Sequence, residues 1–243
     1  MTGDPARRGV EIFEAGAFGD HVAGLLADRL TARPSLVVCL PTGSTPLAVY
    51  EALPGLLRRD EVSAASATVV LLDEYIGLPR GHAARCDSML ERGLLDRLDP
   101  SVGGFIRFEV DELTPVEACA RIDAGIVAVG GLDLVVLGLG MNGHVGMNEP
   151  GSDAASVTRL VELAPSTRDA AVGYGALVAP THGVTLGIAS ILAAREIWLL
   201  ATGPRKAAIL GAALDGPVTP DVPASLLRGH PGLRVIVDEA AGR

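Results

Sequence analysis

Apolar residues along this chain fall into short continuous runs, separated by amphipathic stretches and by glycine- or proline-rich breaks. Residues 35–40 (SLVVCL), 68–72 (TVVLL), 134–137 (LVVL) and 197–202 (IWLLAT) lack the alternation of a half-exposed strand. Such runs fit strands buried on both faces of a parallel sheet. Val10–Phe13 and residues 233–237 read as a first and a last strand, and residues 105–108 as an edge strand. Between them, residues 20–30, 47–57, 87–98, 115–127 and 207–214 place their apolar side chains at helical spacing. Buried strands alternating with helices predict an α/β fold, a doubly wound and mostly parallel sheet with helices on both faces. Residues 1–243 read as a single domain. Residues 151–180, rich in glycine and alanine with a weak strand signal at 159–163, read as a lid.

The strand at 134–137 breaks into Gly138, Gly140, Gly143 and Gly146, among which stand Asn142, His144, Asn148 and Glu149. Open α/β sheets bind ligands outside the carboxyl ends of their strands, so this cluster is a site candidate. Residues 138–143 also match G-x-G-x-x-G. A dinucleotide site would need a helix to open at the third glycine, and Gly146, Pro150 and Gly151 argue against one. Residues 35–46 repeat the strand–loop–helix arrangement. They set Thr42, Gly43, Ser44 and Thr45 at a helix N-terminus, where unpaired N–H groups and the dipole favour an anion. Ser44 or Thr45 capping the helix ahead of Pro46 is the plainer role, and the two are compatible. The run at 68–72 leads into Asp73 and Glu74, an acid pair suited to a catalytic base.

Composition narrows the function classes. A net charge of −9 argues against nucleic acid and anionic membrane surfaces as partners. No apolar run spans a bilayer and no signal peptide is visible. Cys39, Cys86 and Cys119 are widely spaced, which fits a reducing, cytoplasmic setting and no structural zinc. Scattered apolar residues do not specify an oligomeric state. Of the 20 basic residues, 19 are arginine, and the single lysine, Lys206, stands at another strand-to-helix junction. The plain reading is chance in an arginine-biased chain; the functional one is that this position needs a compact ammonium on a flexible stem, which a planar guanidinium does not replace.

Five segments together resemble the glucosamine-6-phosphate deaminase/isomerase family, including its galactosamine-6-phosphate branch. They are LPTGSTP (40–46), LDEYIGLP (72–79), LGLGMNGHVGMNEPG (137–151), VTLGIASIL (184–192) and LLATGPRKA (199–207). The resemblance implies a modified Rossmann-like fold and cofactor-free conversion of an amino-sugar 6-phosphate to a ketose 6-phosphate plus ammonia. It implies that Asp73 moves a proton between C2 and C1, and that His144 assists ring opening with Glu149 and Asn142 orienting it. Thr42, Gly43, Ser44 and Lys206 would hold the phosphate. A sibling 6-phosphogluconolactonase, or a non-catalytic sugar-phosphate sensor, is the alternative. Asn142 replaces an aspartate of some members, and residues 172–175 lack the arginine that reaches the phosphate in many, which makes Arg168 a candidate donor. The lid sequence leans toward the galactosamine branch. The chain ends before the longer tail of the allosteric members, which implies no amino-sugar activation.

Overall fold

The computed structural model describes residues 9–242. Its main sheet has seven parallel strands: β1 (Val10–Phe13), β2 (Val37–Leu40), β3 (Thr68–Leu71), β5 (Gly104–Ile106), β6 (Leu134–Gly138), β9 (Glu196–Ala201) and β10 (Leu233–Asp238), in the order β1-β10-β9-β6-β2-β3-β5. Every residue of β2 is buried, and Leu134, Val135, Val136 and Leu137 of β6 likewise. The continuous apolar runs are therefore central strands, as parallel pairing demands. β5 lies at the edge, as its sequence predicts.

Helices flank this sheet: α1 (Phe18–Ala32), α2 (Ser44–Arg59), α3 (Cys86–Gly93), α4 (Pro115–Ala128), α5 (Pro165–Gly173), α6 (Ile188–Leu192) and α7 (Ala207–Asp215). α2 continues through Pro54, whose missing N–H leaves the Tyr50 carbonyl without its helical donor. Arg97 donates to that carbonyl at 3.4 Å. The helix predicted over residues 87–98 is shorter. It ends at Gly93, and a separate 3-10 turn, Leu95–Arg97, follows. Among the described residues no helix is long and apolar enough to cross a membrane.

The second sheet, β4-β8-β7, is small and antiparallel: β4 (Asp73–Tyr75), β8 (His182–Thr185) and β7 (Arg159–Glu162). Asp73 pairs with Thr185, so the acid pair opens a strand of its own. The main chain therefore leaves one sheet at Leu72 and enters the other at once. In the segment at 151–180 the weak strand signal at 159–163 corresponds to β7, and the segment also contains α5, which its sequence did not indicate.

Strand order fixes where a ligand can sit. From β2 the sheet proceeds outward through β3 and β5, and from β6 through β9 and β10 in the other direction. β2 and β6 are neighbours, with Val38 opposite Leu134. The connections diverge at their carboxyl ends, which opens the crevice that such sheets use for ligands.

Candidate active site

The loop after β2 and the loop after β6 meet at that crevice. Between them is a cavity of about 240 Å³. Thr42, Gly43, Ser44, Asp73, His144 and Lys206 all line it. Asn142 and Glu149 do not line it and stand behind the imidazole.

Gly43 precedes α2 with φ +113°, a conformation reserved in practice for glycine. α2 opens at Ser44, with no side chain capping its N-terminus. The capping role offered for Ser44 or Thr45 is thus unfilled, and Pro46 falls at the third helical position, where no N–H partner is required. Residues 42–45 all line the cavity, and the Thr45 hydroxyl pairs with that of Thr202 at 3.3 Å. Across from them, Lys206 ends the 3-10 turn Pro204–Lys206 and donates to the Leu139 carbonyl at 2.5 Å. Burial, then repulsion from Arg205, pushes its pKa below the usual lysine value. The Asp238 carboxylate fixes the turn by accepting the Gly203 N–H at 2.9–3.0 Å.

Asp73 is nearly buried, and burial raises its pKa to about 6 against the opposing pull of the Cys86 thiol and His144. The thiol also contacts Thr42, so Cys86 joins β4 to the loop that follows β2. Neighbouring Glu74 turns the other way. Its carboxylate accepts the N–H groups of Tyr75, Cys86 and Asp87 at 2.8–3.0 Å, satisfying the first turn of α3. Arg85, 1% exposed, bridges Glu74, Asp87 and Asp111 at 3.4, 2.8 and 3.0 Å. This buried cluster fixes the strand that carries Asp73.

The imidazole is held as firmly. His144 Nδ1 lies 3.2 Å from Glu149 Oε2, and Asn142 donates to the same oxygen at 2.8 Å. The Asn142 side-chain carbonyl accepts the His144 N–H at 3.2 Å. Thr167 and the Ala164 N–H bond the other Glu149 oxygen. Burial would raise the Glu149 pKa, but the bonds from His144, Thr167 and Asn142 outweigh it and bring it down to about 2. An ionised Glu149 accepts from Nδ1–H and leaves Nε2 toward the cavity. Asn148, fully buried, donates to the carbonyls of Val145 and Leu186 at 3.0 and 2.8 Å and anchors the loop. Residues 141–150 form turns and a Val145–Asn148 bridge, with no helix after Gly143.

The profile of the family described as glucosamine-6-phosphate isomerases/6-phosphogluconolactonase matches residues 14–236. The chain belongs to this family. A glucosamine-6-phosphate deaminase of Streptomyces coelicolor is 41% identical over 231 residues, covering 94% of this chain and 88% of that one. One from Bacillus pumilus is 35% identical over 235 residues, covering 96% and 98%. Among solved structures, a monomeric glucosamine-6-phosphate deaminase superposes with TM-score 0.88 at 29% identity, covering 96% of this chain and 98% of its own. A 6-phosphogluconolactonase from Thermotoga maritima gives TM-score 0.75 at 20% identity, covering 95% and 99%, a likeness of fold alone.

Sequence reasoning missed Cys86, Thr167 and Tyr174 at this site. Thr167 is 18 residues from Glu149 and Cys86 is 13 from Asp73, distances with no periodic signature. Arg168, offered as a substitute phosphate donor, does not line the cavity. Tyr174, from the stretch noted for lacking an arginine, does.

Proposed function

We propose that the cavity converts glucosamine-6-phosphate and water to fructose-6-phosphate and ammonia. The observation that carries this is the convergence of Asp73, the imidazole backed by Glu149, and Lys206 on one cavity at the switch point of the sheet. The phosphate sits at the N-terminus of α2, taking N–H groups and hydroxyls from Thr42–Ser44 and the ammonium of Lys206. This sets C1 and C2 beside Asp73 and His144.

His144 takes the proton of the anomeric hydroxyl through Nε2 and returns it to the ring oxygen, opening the sugar. Asp73, as carboxylate, removes the C2 proton while O1 gains one from the substrate's own ammonium group, giving an enolamine. The same proton returns to C1, leaving an iminium at C2. Water adds at C2, the protonated nitrogen leaves as ammonia, and C2 becomes a carbonyl. A pKa of about 6 leaves Asp73 ionised at neutral pH yet more basic than an ordinary aspartate. Asn142 offers no proton, and acts by holding Glu149 and the His144 main chain.

The chain acts as one domain, and residues 151–180 serve as a lid because Ser166, Thr167, Ala170 and Tyr174 line the cavity. Three buried, unpaired cysteines fit a cytoplasmic setting. The relatives described above are named for glucosamine-6-phosphate, and that epimer is taken as substrate over the galactosamine form. The test is ammonia release from both epimeric amino-sugar phosphates, run beside hydrolysis of 6-phosphogluconolactone. Ammonia from glucosamine-6-phosphate supports the assignment. Lactone hydrolysis with no ammonia from either sugar overturns it.

A further inference from the structure

A phosphate monoester brings close to two negative charges and several acceptor oxygens near neutral pH. Among the described residues that line the cavity, Lys206 is the only lysine or arginine. Phosphate capture therefore depends on neutral donors to an unusual degree. Most are short hydroxyls on the anion loop. One comes from the opposite wall.

Tyr174 follows α5, and its N–H donates to the carbonyls of Ala170 and Ala171 at 3.1 and 3.2 Å, which holds it at the helix end. Its ring lines the cavity. Its hydroxyl oxygen lies 3.5 Å from where a Cβ on Gly43 would stand. The bare backbone at Gly43 thus lets this hydroxyl approach the turn that opens α2. The other two tyrosines spend their hydroxyls on main-chain carbonyls: Tyr50 on Pro41 at 2.7 Å, Tyr75 on Thr167 at 3.5 Å. The Tyr174 hydroxyl donates to no protein acceptor among the described residues. Burial, with Cys86 and Asp73 nearby, raises its pKa, so it remains a donor at any physiological pH.

We propose that the Tyr174 hydroxyl donates to the substrate phosphate at the N-terminus of α2, and so fastens residues 151–180 over the occupied site. This rests on the sugar-phosphate reading above. Tyr174 is then a binding residue that selects phosphorylated over free amino sugar. A longer cationic donor from the same segment is unnecessary, because the anion loop, Lys206 and Tyr174 surround the phosphate from three directions.

The test is Tyr174→Phe, which removes one oxygen and keeps the ring. Steady-state kinetics with glucosamine-6-phosphate are compared with competitive inhibition by inorganic phosphate and with the thermal shift that inorganic phosphate produces. Loss of one hydrogen bond to a charged group predicts that KM and the phosphate inhibition constant rise together by about tenfold. kcat changes less than either, and the phosphate-induced thermal shift shrinks. Unchanged KM and inhibition constant, or a fall in kcat at constant KM, would overturn the proposal. Tyr174→Ala should behave as Tyr174→Phe does, with a larger loss of lid packing. The thermal-shift arm needs no turnover. A wild-type protein that binds phosphate through Tyr174 and releases no ammonia therefore sinks the deaminase reading and leaves this one standing.

Discussion

Gly140 exists for His144: a Cβ built at position 140 would overlap the imidazole ring, meeting Cδ2, Nε2 and Cε1 together. The two residues are also joined through the main chain, with the Gly140 N–H donating to the His144 carbonyl at 2.9 Å. The glycine spacing at 138–143 resembles a pyrophosphate-binding turn, but its middle glycine makes room for a side chain of this same loop.

Replacing Gly140 with alanine should therefore displace the ring without disturbing the core. A misplacement of about 1 Å costs on the order of 10²-fold in rate, so kcat/KM for ammonia release should fall by about that factor. Circular dichroism and the melting temperature should stay near wild type. Full activity in Gly140→Ala would show that the ring position does not matter.

Asp73 makes opposite predictions for rate and stability. Asp73→Asn removes the proton carrier and should reduce kcat by roughly 10²–10⁴-fold. The same change removes a carboxylate that burial holds at about 6 in the fold, against about 3.9 in an unfolded chain. A raised acid pKa means that folding favours the protonated form. Wild-type stability therefore declines as pH rises from about 4 to 6, and the penalty persists above that range. The variant escapes it and should be more stable at pH 7 by about 1–3 kcal/mol, with the gap closing toward pH 4. Denaturant titrations at the two pH values measure this. A variant less stable than wild type at neutral pH contradicts the burial argument.

The acid limb of the rate profile should belong to Asp73. Glu149, held down at about 2, stays ionised throughout the working range, so kcat/KM should fall with decreasing pH around 6. Glu149→Gln removes the carboxylate that accepts from Nδ1–H and should cost roughly 10²–10⁴-fold, as loss of a tautomer-fixing acid does. The residual activity should keep its limb near 6. A limb that vanishes with Glu149→Gln would assign it to the wrong carboxylate.

Arg85 tests the scaffold. Truncating it to methionine leaves Glu74 and Asp87 buried beside each other without their cation, which should destabilise the fold by about 3–5 kcal/mol. A loss below about 1 kcal/mol would mean that the cluster is better solvated than its burial indicates.

How much of this was legible in the sequence follows from the distances involved. The parallel strands were readable because full burial writes an unbroken apolar run, as at residues 134–137. Glu149 and His144 were readable as a pair because they are five residues apart on one loop. β4 was not, since three residues make a strand only through partners at 183–185, more than a hundred positions away. Cys86 and Tyr174 were silent for the same reason: their relevance is a property of the crevice and of no local pattern. The apolar spacing over 87–98 runs past the end of α3 because the 3-10 turn Leu95–Arg97 after Gly93 continues the apolar pattern without continuing the helix.

The central claim is that one buried carboxylate carries a proton from C2 to C1. Glucosamine-6-phosphate deuterated at C2 tests it most directly, with the product examined for deuterium at C1. Deuterium should appear at C1 in a measurable fraction with the wild type, because Asp73 is largely shielded from solvent, and Asp73→Asn should give almost no product. Product that takes its C1 hydrogen wholly from water, formed at an undiminished rate by Asp73→Asn, would contradict the account.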